Sequence, residues 1–188
     1  MSDLTITNGG VAVTANNAGS SISTGRRKII RVTPTLSTDA YAVGDVLFNG
    51  TEIPNAVKED GGCSRLIAMY TFNKTPNSCK YEILFTENTV TLGTINATAN
   101  ISDADIIAAK PTGFLFLDES TGDTENFDNF QMARVTDYST SDGTVHGLPP
   151  ILLQAAAGST SCYVSAAIQS GTPTFAADDL ELIFHIEY

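Results

Sequence analysis

Histidine is nearly absent from this chain of 188 residues, with two, His146 and His185, and cysteine is scarce, with three, Cys63, Cys79 and Cys162. Those shortages remove most enzymatic chemistry. There is no Gly-x-Ser-x-Gly elbow, no Gly-rich phosphate loop, no His-Glu-x-x-His pair and no His-x-His pair for a metal. No pair of carboxylates stands out from the acidic background as a glycosidase pair would. The expectation is a protein with no catalytic residue, no cofactor and no metal site. Three thiols cannot all pair within one chain, and none lies in a Cys-x-x-Cys or Cys/His spacing, so the cysteines are expected to be free. One bridge, Cys63 to Cys79, stays open because the two flank a predicted hairpin.

Positive charge is also short. Ten Lys and Arg stand against 21 Asp and Glu, for a net charge of -11. The resulting field repels phosphate backbones, which excludes nucleic acid as an expected partner. Long apolar runs are missing too: nothing approaches the ~20 residues that cross a bilayer as a helix, so no membrane span is expected. The opening MSDLTITNGG has neither the basic start nor the apolar centre of a signal peptide, which predicts a soluble product made in a cytoplasm. The sequons at Asn49, Asn73, Asn96 and Asn100 then read as chance triplets of a Thr-rich chain.

What is present is enough for one core. A hydrophobic content of 42% over this length predicts a single domain, residues 26–188, preceded by an arm, residues 1–25. The arm is built from Gly, Ala, Ser, Thr and Asn without aromatics or Pro, and cannot bury enough surface to fold alone. Its short alternations, Leu4 with Ile6 and Val11 with Val13, suit a strand added to another sheet's edge. Fully extended it would reach about 80 Å. At its base, Arg26, Arg27, Lys28 and Arg31 gather four of the ten cations within six positions. This cluster reads either as a solvated boundary or as a docking patch for an acidic protein surface.

From Lys28 onward apolar residues recur with period two, the pattern of strands with one buried face. The clearest run closes the chain: Leu180, Leu182, Phe184, Ile186 and Tyr188 point one way, Glu181, Ile183, His185 and Glu187 the other. Similar runs cover Lys28 to Thr35, Arg65 to Phe72 (Leu66, Ala68, Tyr70 and Phe72 on one side), Tyr81 to Thr86, Gly113 to Leu117, Gln131 to Tyr138 and Cys162 to Gln169. One helix is expected in ISDADIIAAK, with Ser102 as N-cap, Asp105 at N3 and Pro111 as the stop. Many strands and one brief helix predict an all-β antiparallel sandwich, jelly-roll-like, with a flexible N-terminal arm.

Two polar groupings invite a metal reading. Glu181, His185 and Glu187 share one strand face, although a solvated face accounts for them equally. The acidic stretch LDESTGDTENFD, residues 117–128, lacks the order of an EF-hand and reads as an exposed loop, with calcium as the alternative.

Four stretches remain: AYAVGDVLFNGTEIPNAV, GGCSRLIAMYTFNK, ILFTENTVTLGTINATANISDADI and YVSAAIQSGTPTFAADDLELIF. Together they resemble a family of small proteins encoded by tailed bacteriophages, whose members share a Tyr-Ala-x-Gly-Asp-Val start, a Glu-Ile-Pro-Asn-Ala turn, a LGTINA segment and a late GTPTF-like turn. The resemblance spans Lys28 to the C-terminus, and this chain departs from it in a longer, more acidic middle loop. It implies a virion structural protein, made in the bacterial host. A charge of -11 favours the outer surface of a DNA-filled shell. The expected role is a capsid decoration or cement protein, docked on the major capsid protein through the arm and basic cluster, as a homo-oligomer for which a trimer suits three-fold positions. The alternative is a tail- or fibre-associated host-recognition module.

Overall fold

The computed structural model describes residues 27–119, 124–135 and 151–188 in full, and the backbone alone of four short strands at 6–8, 11–13, 137–139 and 145–147. In chain order the elements are β1 (Ile6–Asn8), β2 (Val11–Val13), β3 (Arg27–Val32), β4 (Val46–Ile53), β5 (Cys63–Asn73), β6 (Lys80–Thr86), α1 (Asp103–Ala109), β7 (Pro111–Asp118), β8 (Thr124–Phe127), β9 (Phe130–Val135), β10 (Asp137–Ser139), β11 (Val145–Gly147), β12 (Ile151–Gln154), β13 (Cys162–Ser170) and β14 (Leu180–Glu187).

Two antiparallel sheets make an all-β sandwich. One runs β3-β14-β5-β9-β8, with β12 beside the first half of β5, so that β12 and β9 lie end to end along the same edge. The other runs β4-β13-β6-β7. The main core lies between them and draws on both, with Leu66, Met69, Leu182, Phe184 and Ile186 from the first sheet and Phe48, Ile83, Phe85, Val164 and Ile168 from the second. Phe184 is fully buried and meets Phe85 edge to face across the layers, ring centroids 6.1 Å apart. The alternation expected for the last strand is observed, except that Ile183, on the outer side, is also buried.

Two β-bulges change facings that strict alternation predicts. In β5 the register with β14 steps from Ala68 to Leu66, leaving Ile67 as the extra residue. Leu66 therefore points inward, but beyond the bulge Met69, Thr71 and Asn73 do, while Ala68, Tyr70 and Phe72 are only half-buried. The expected single face of Leu66, Ala68, Tyr70 and Phe72 is thus broken after its first member. In β4 the register with β13 steps at Leu47. Leu47 and Phe48 enter the main core, whereas Val46 joins a second cluster with Val90, Leu92 and Ala109.

The helix starts as its capping residues predict. Ser102 Oγ accepts from the Asp105 N–H at 3.2 Å, and its hydroxyl donates to the Asp105 carboxylate at 2.6 Å. Lys110 closes the helix in a left-handed conformation (φ 52°), and Pro111 opens β7. Of the arm, Leu4 lies outside the described residues, and β1 pairs only with β2, with Ile6 opposite Val13.

Because the bulge lies in β5 and not in β14, the facing of the last strand is a direct test of this packing. Phe184→Ala should cost about 3 to 5 kcal/mol, by lost burial and an unfilled cavity, and His185→Ala under about 1 kcal/mol. Denaturant titration of the two variants checks the contrast.

Candidate functional site

The four short motifs named above, at 41–46, 52–56, 92–97 and 171–175, lie around β4, whereas the stretch GGCSRLIAMYTFNK forms β5 in the other sheet. In the 41–45 turn, Asp45 N–H donates to Ala42 C=O (3.1 Å), and the Asp45 carboxylate accepts from the Ala42 N–H (2.7 Å). Gly44, at φ +88°, occupies the position of that turn where an L side chain is strained. The turn is then stitched to the late motif: Gly44 N–H donates to Ile168 C=O (2.7 Å), Ile168 N–H to Asp45 C=O (2.9 Å), and Tyr41 N–H to Pro173 C=O (3.0 Å). Tyr41 itself is buried, packs edge to face on Phe175 at 5.8 Å, accepts from the Ser37 N–H at 2.7 Å and donates to Leu47 C=O at 3.2 Å. Burial outweighs the bond accepted from the Ser37 N–H and pushes its phenol pKa up.

The LGTINATAN segment lies along the outer edge of β4. Val46 N–H donates to Ala97 C=O, Asn96 N–H to Val46 C=O, Ala99 N–H to Gly44 C=O and Gly50 N–H to Val90 C=O, all within 2.8–3.0 Å. The Asn49 side chain completes the seam, donating to Gly93 C=O (2.9 Å) and accepting from the Leu92 N–H (2.7 Å). Beneath this segment and α1, Val46, Val90, Leu92 and Ala109 form the second apolar cluster on the outer side of the sheet. The Glu-Ile-Pro-Asn turn is tied to the start of β13 and to the last residue: Glu52 accepts from the Ser161 hydroxyl at 2.5 Å, and Asn55 C=O from the Tyr188 hydroxyl at 2.6 Å. These motifs hold the fold. Their polar groups are consumed in keeping loops on a sheet edge.

The predicted docking residues divide. Arg26 and Leu4 lie outside the described residues, and Ile6, Val11 and Val13 sit on the β1–β2 pair. Arg27, Lys28 and Arg31 stand on β3, whose one sheet neighbour among the described residues is β14. Two of these cations are already engaged: Arg31 pairs with Glu181 at 2.6 Å, and Arg27 with Glu187 at 3.2 Å, where Arg65 also binds. The two arginines hold the Glu187 carboxyl below its ordinary pKa. Lys28 is exposed and has no ion-pair partner among the described residues.

The same ladder answers the metal reading of the last strand. Glu181 and Glu187 face guanidinium groups, and His185 packs against Tyr70, centroids 5.1 Å apart. Among the described residues no group of three His, Cys, Asp or Glu side chains is placed to hold a metal ion. The acidic stretch 117–128 departs from the exposed loop expected of it. Leu117 and Asp118 complete β7, Glu119 is buried, and 124–127 form β8. Cys63, Cys79 and Cys162 are free thiols. Cys63 opens β5, whereas Cys79 lies by Glu119 near the other end of that strand. The 11 residues of β5 span roughly 35 Å, far beyond disulfide reach. Burial pushes the Cys162 thiol up to about 12.

A shallow depression of about 530 Å³ beside α1 is lined by Asn88, Thr91, Asn100, Asp105, Val90 and Ile101. None of the buried polar atoms lacking a hydrogen-bond partner belongs to that lining, so no group is held in reserve there for a ligand. No protein-family description matches the chain, and no curated protein matches it.

Two outcomes follow from this geometry. A Cβ added at Gly50 would stand 2.7 Å from Thr89 Oγ1 and from Val90 N, and 2.8 Å from Val90 O. Two of these are backbone atoms, so Gly50→Ala should lift the segment from the β4 edge and cost about 2 to 3 kcal/mol in a denaturant titration. Excess EDTA should leave the melting temperature unchanged, because the carboxylates of the last strand are balanced by arginines instead of a bound cation.

Proposed function

We propose that this chain is a structural component of a tailed-phage particle, an outer capsid decoration protein that stabilises the shell by docking on the major capsid protein. The observation that carries the reading is where the distinctive residues go. The motifs that carry the resemblance spend their side chains and backbone on closing the sandwich around β4, as a protein selected for a rigid body requires. Among the described residues β3, β7 and β8 are sheet edges with no further strand beside them, and β3 is the one that follows the arm, a segment able to form strands. An open edge and a strand-forming arm are the two halves of recognition by strand addition.

The strand order supports the jelly-roll reading. Numbering the eight principal strands β3, β4, β5, β6, β7, β9, β13 and β14 from one to eight, the first sheet reads 1-8-3-6 and the second 2-7-4-5. That is the order of a ribbon of antiparallel pairs wrapped round a barrel-like core, an architecture used by viral capsid and lectin domains among others. Fold alone does not assign function, so the particle role rests on the resemblance, the charge and the use of the motifs together. A net charge of -11 favours the DNA-free side of the shell.

Removing residues 1–25 should leave the melting temperature nearly unchanged, because β3 begins at Arg27 and the core lies wholly beyond it. The same truncation should abolish co-sedimentation with undecorated shells. Lys28→Glu, which disturbs no ion pair, should weaken attachment more at low salt than at high salt. Full binding by the truncated chain would defeat the docking arm. A copy number of tens instead of hundreds per particle, read from particle images, would move the protein to the tail.

A further inference from the structure

The most unusual group among the described residues is a carboxyl in the core. Glu119 follows β7 directly and is 2% exposed. Its N–H donates to Cys79 C=O at 2.9 Å, and its C=O accepts from Gln131 Nε2 at 3.3 Å. One carboxyl oxygen accepts from the Thr71 hydroxyl at 3.3 Å, and the other lies 3.4 Å from Cys79 Sγ. Thr71 and Asn73 come from β5 and Gln131 from β9, all in the first sheet. Cys79 immediately precedes β6 and Tyr81 lies within it, in the second. Each of these five side chains is itself buried. Glu119 is thus the point where one end of the second sheet is fastened to the first.

We propose that Glu119 is a proton-operated clasp between the two sheets: protonated, it holds the end of β7 against β5 and β9, and on ionising it releases that junction.

The surroundings explain why one proton decides the state. From β6 and the residue before it, Tyr81 and Cys79 face the carboxyl, and both are neutral, their own ionisation pushed far up by burial and by Glu119 itself. From β5 and β9 come only uncharged groups, Thr71, Asn73 and Gln131. On its own strand, Asp118 is paired with Lys80 at 2.7 Å, nearer the surface. Among the described residues no cation faces Glu119, so an ionised carboxylate there would be buried without a counter-charge from them, a costly arrangement. The Tyr81 hydroxyl and the Asn73 amide adjoin the carboxyl but make no hydrogen bond of ordinary geometry. They are spare donors that soften the cost without cancelling it. Burial raises the carboxyl from an ordinary 4.5 to about 7, with the Tyr81, Cys79, Thr71 and Asn73 donors acting in the opposite direction.

The sign follows from linkage. A carboxyl whose folded pKa is raised binds more proton in the closed state than in the open one. Its contribution is complete below the ordinary carboxyl pKa and is lost as pH rises through about 7. This is the reverse of the surface carboxylate Glu187, whose lowered pKa makes its contribution fail on acidification.

The test follows the Glu119 carboxyl-carbon NMR shift and the hydrogen-exchange protection of the Glu119 amide against pH in the full chain. The shift should inflect near pH 7, and protection, corrected for intrinsic exchange, should fall about tenfold between about pH 6 and pH 8. In Glu119→Gln that fall should vanish. Inflection in the ordinary carboxylate range would overturn the proposal. So would a fall in protection that Glu119→Gln shares, or wild-type protection that does not change with pH. The wild-type shift and protection are read without the variant, so a Glu119→Gln chain that fails to fold leaves the decision intact.

Discussion

The outer edge of β4 is the constraint on which the rest of the architecture depends. A sheet edge exposes alternate N–H and C=O groups, and a long edge left open invites pairing with another chain. Here the backbone of Gly44, Val46 and Gly50 finds partners in residues 90–99, and the Asn49 side chain supplies the hydrogen bonds that a further strand would have made. Holding that segment in place buries Val46, Val90, Leu92 and Ala109, which in turn seats α1. The helix end is fastened by Glu87 N–H to Lys110 C=O and Asn88 N–H to Ala109 C=O, both at 3.1 Å. One edge, once covered, thereby fixes a loop, a helix and the entry to β7. The β3 edge receives no such cover among the described residues, and the contrast between the two is what gives β3 its place in a docking argument.

Much of this could be read from the residues. The period-two runs located β3, β5, β6, β7, β9, β13 and β14, because each has a buried face and a wet one, and alternation reports that difference directly. Ser102 and Asp105 announced the helix through capping chemistry, which is local and needs no tertiary information. The strands that escaped have physical reasons. Val46, Leu47 and Phe48 are apolar in succession because β4 is covered on both faces, so alternation is lost. In β12, only four residues long, and in β8, with exposed Glu125, Asn126 and Phe127, the pattern is too short or too wet to register. Facing was the weakest inference. A bulge is one extra residue with no composition signal of its own, and at Ile67 it reverses every side chain after it.

Charge tells a similar story of local legibility and tertiary surprise. The excess of acid was plain, and so was the basic cluster before β3. What composition could not say is that Arg27 lies opposite Glu187 across the β3–β14 pair, and that Arg31, opposite Ile183, reaches Glu181 on the diagonal. Such exposed pairs contribute little stability, typically ~0 to 1 kcal/mol each. Their arrangement along one ladder instead favours a single register of an edge strand over its slipped alternatives, since a shift by one residue would place the arginines on the opposite face. The cations that looked like a patch for a partner are therefore partly structural, and Lys28 is the member left over.

The bulge at Ile67 also decides the chemistry of the core. Without it, alternation from Leu66 would send Ala68, Tyr70 and Phe72 inward and turn Thr71 and Asn73 to solvent. The carboxyl at the end of β7 would then face aromatic rings and find no donor. With it, Thr71 enters the core opposite Ala133 and Asn73 opposite Gln131, and a pocket of neutral hydrogen-bonding groups forms around Glu119. The displaced aromatics reappear on the outer face, where Phe72 packs on Phe130 at 5.1 Å and Phe130 stacks on Phe127 at 4.7 Å. One inserted residue thus exchanges an apolar strand end for a polar one and creates a setting in which the buried Glu119 can be tolerated. A core selected for stability alone would keep the aromatics inside. Retaining a carboxyl there, held by donors and opposed by no cation among the described residues, ties the closure of the two sheets to the proton concentration around them.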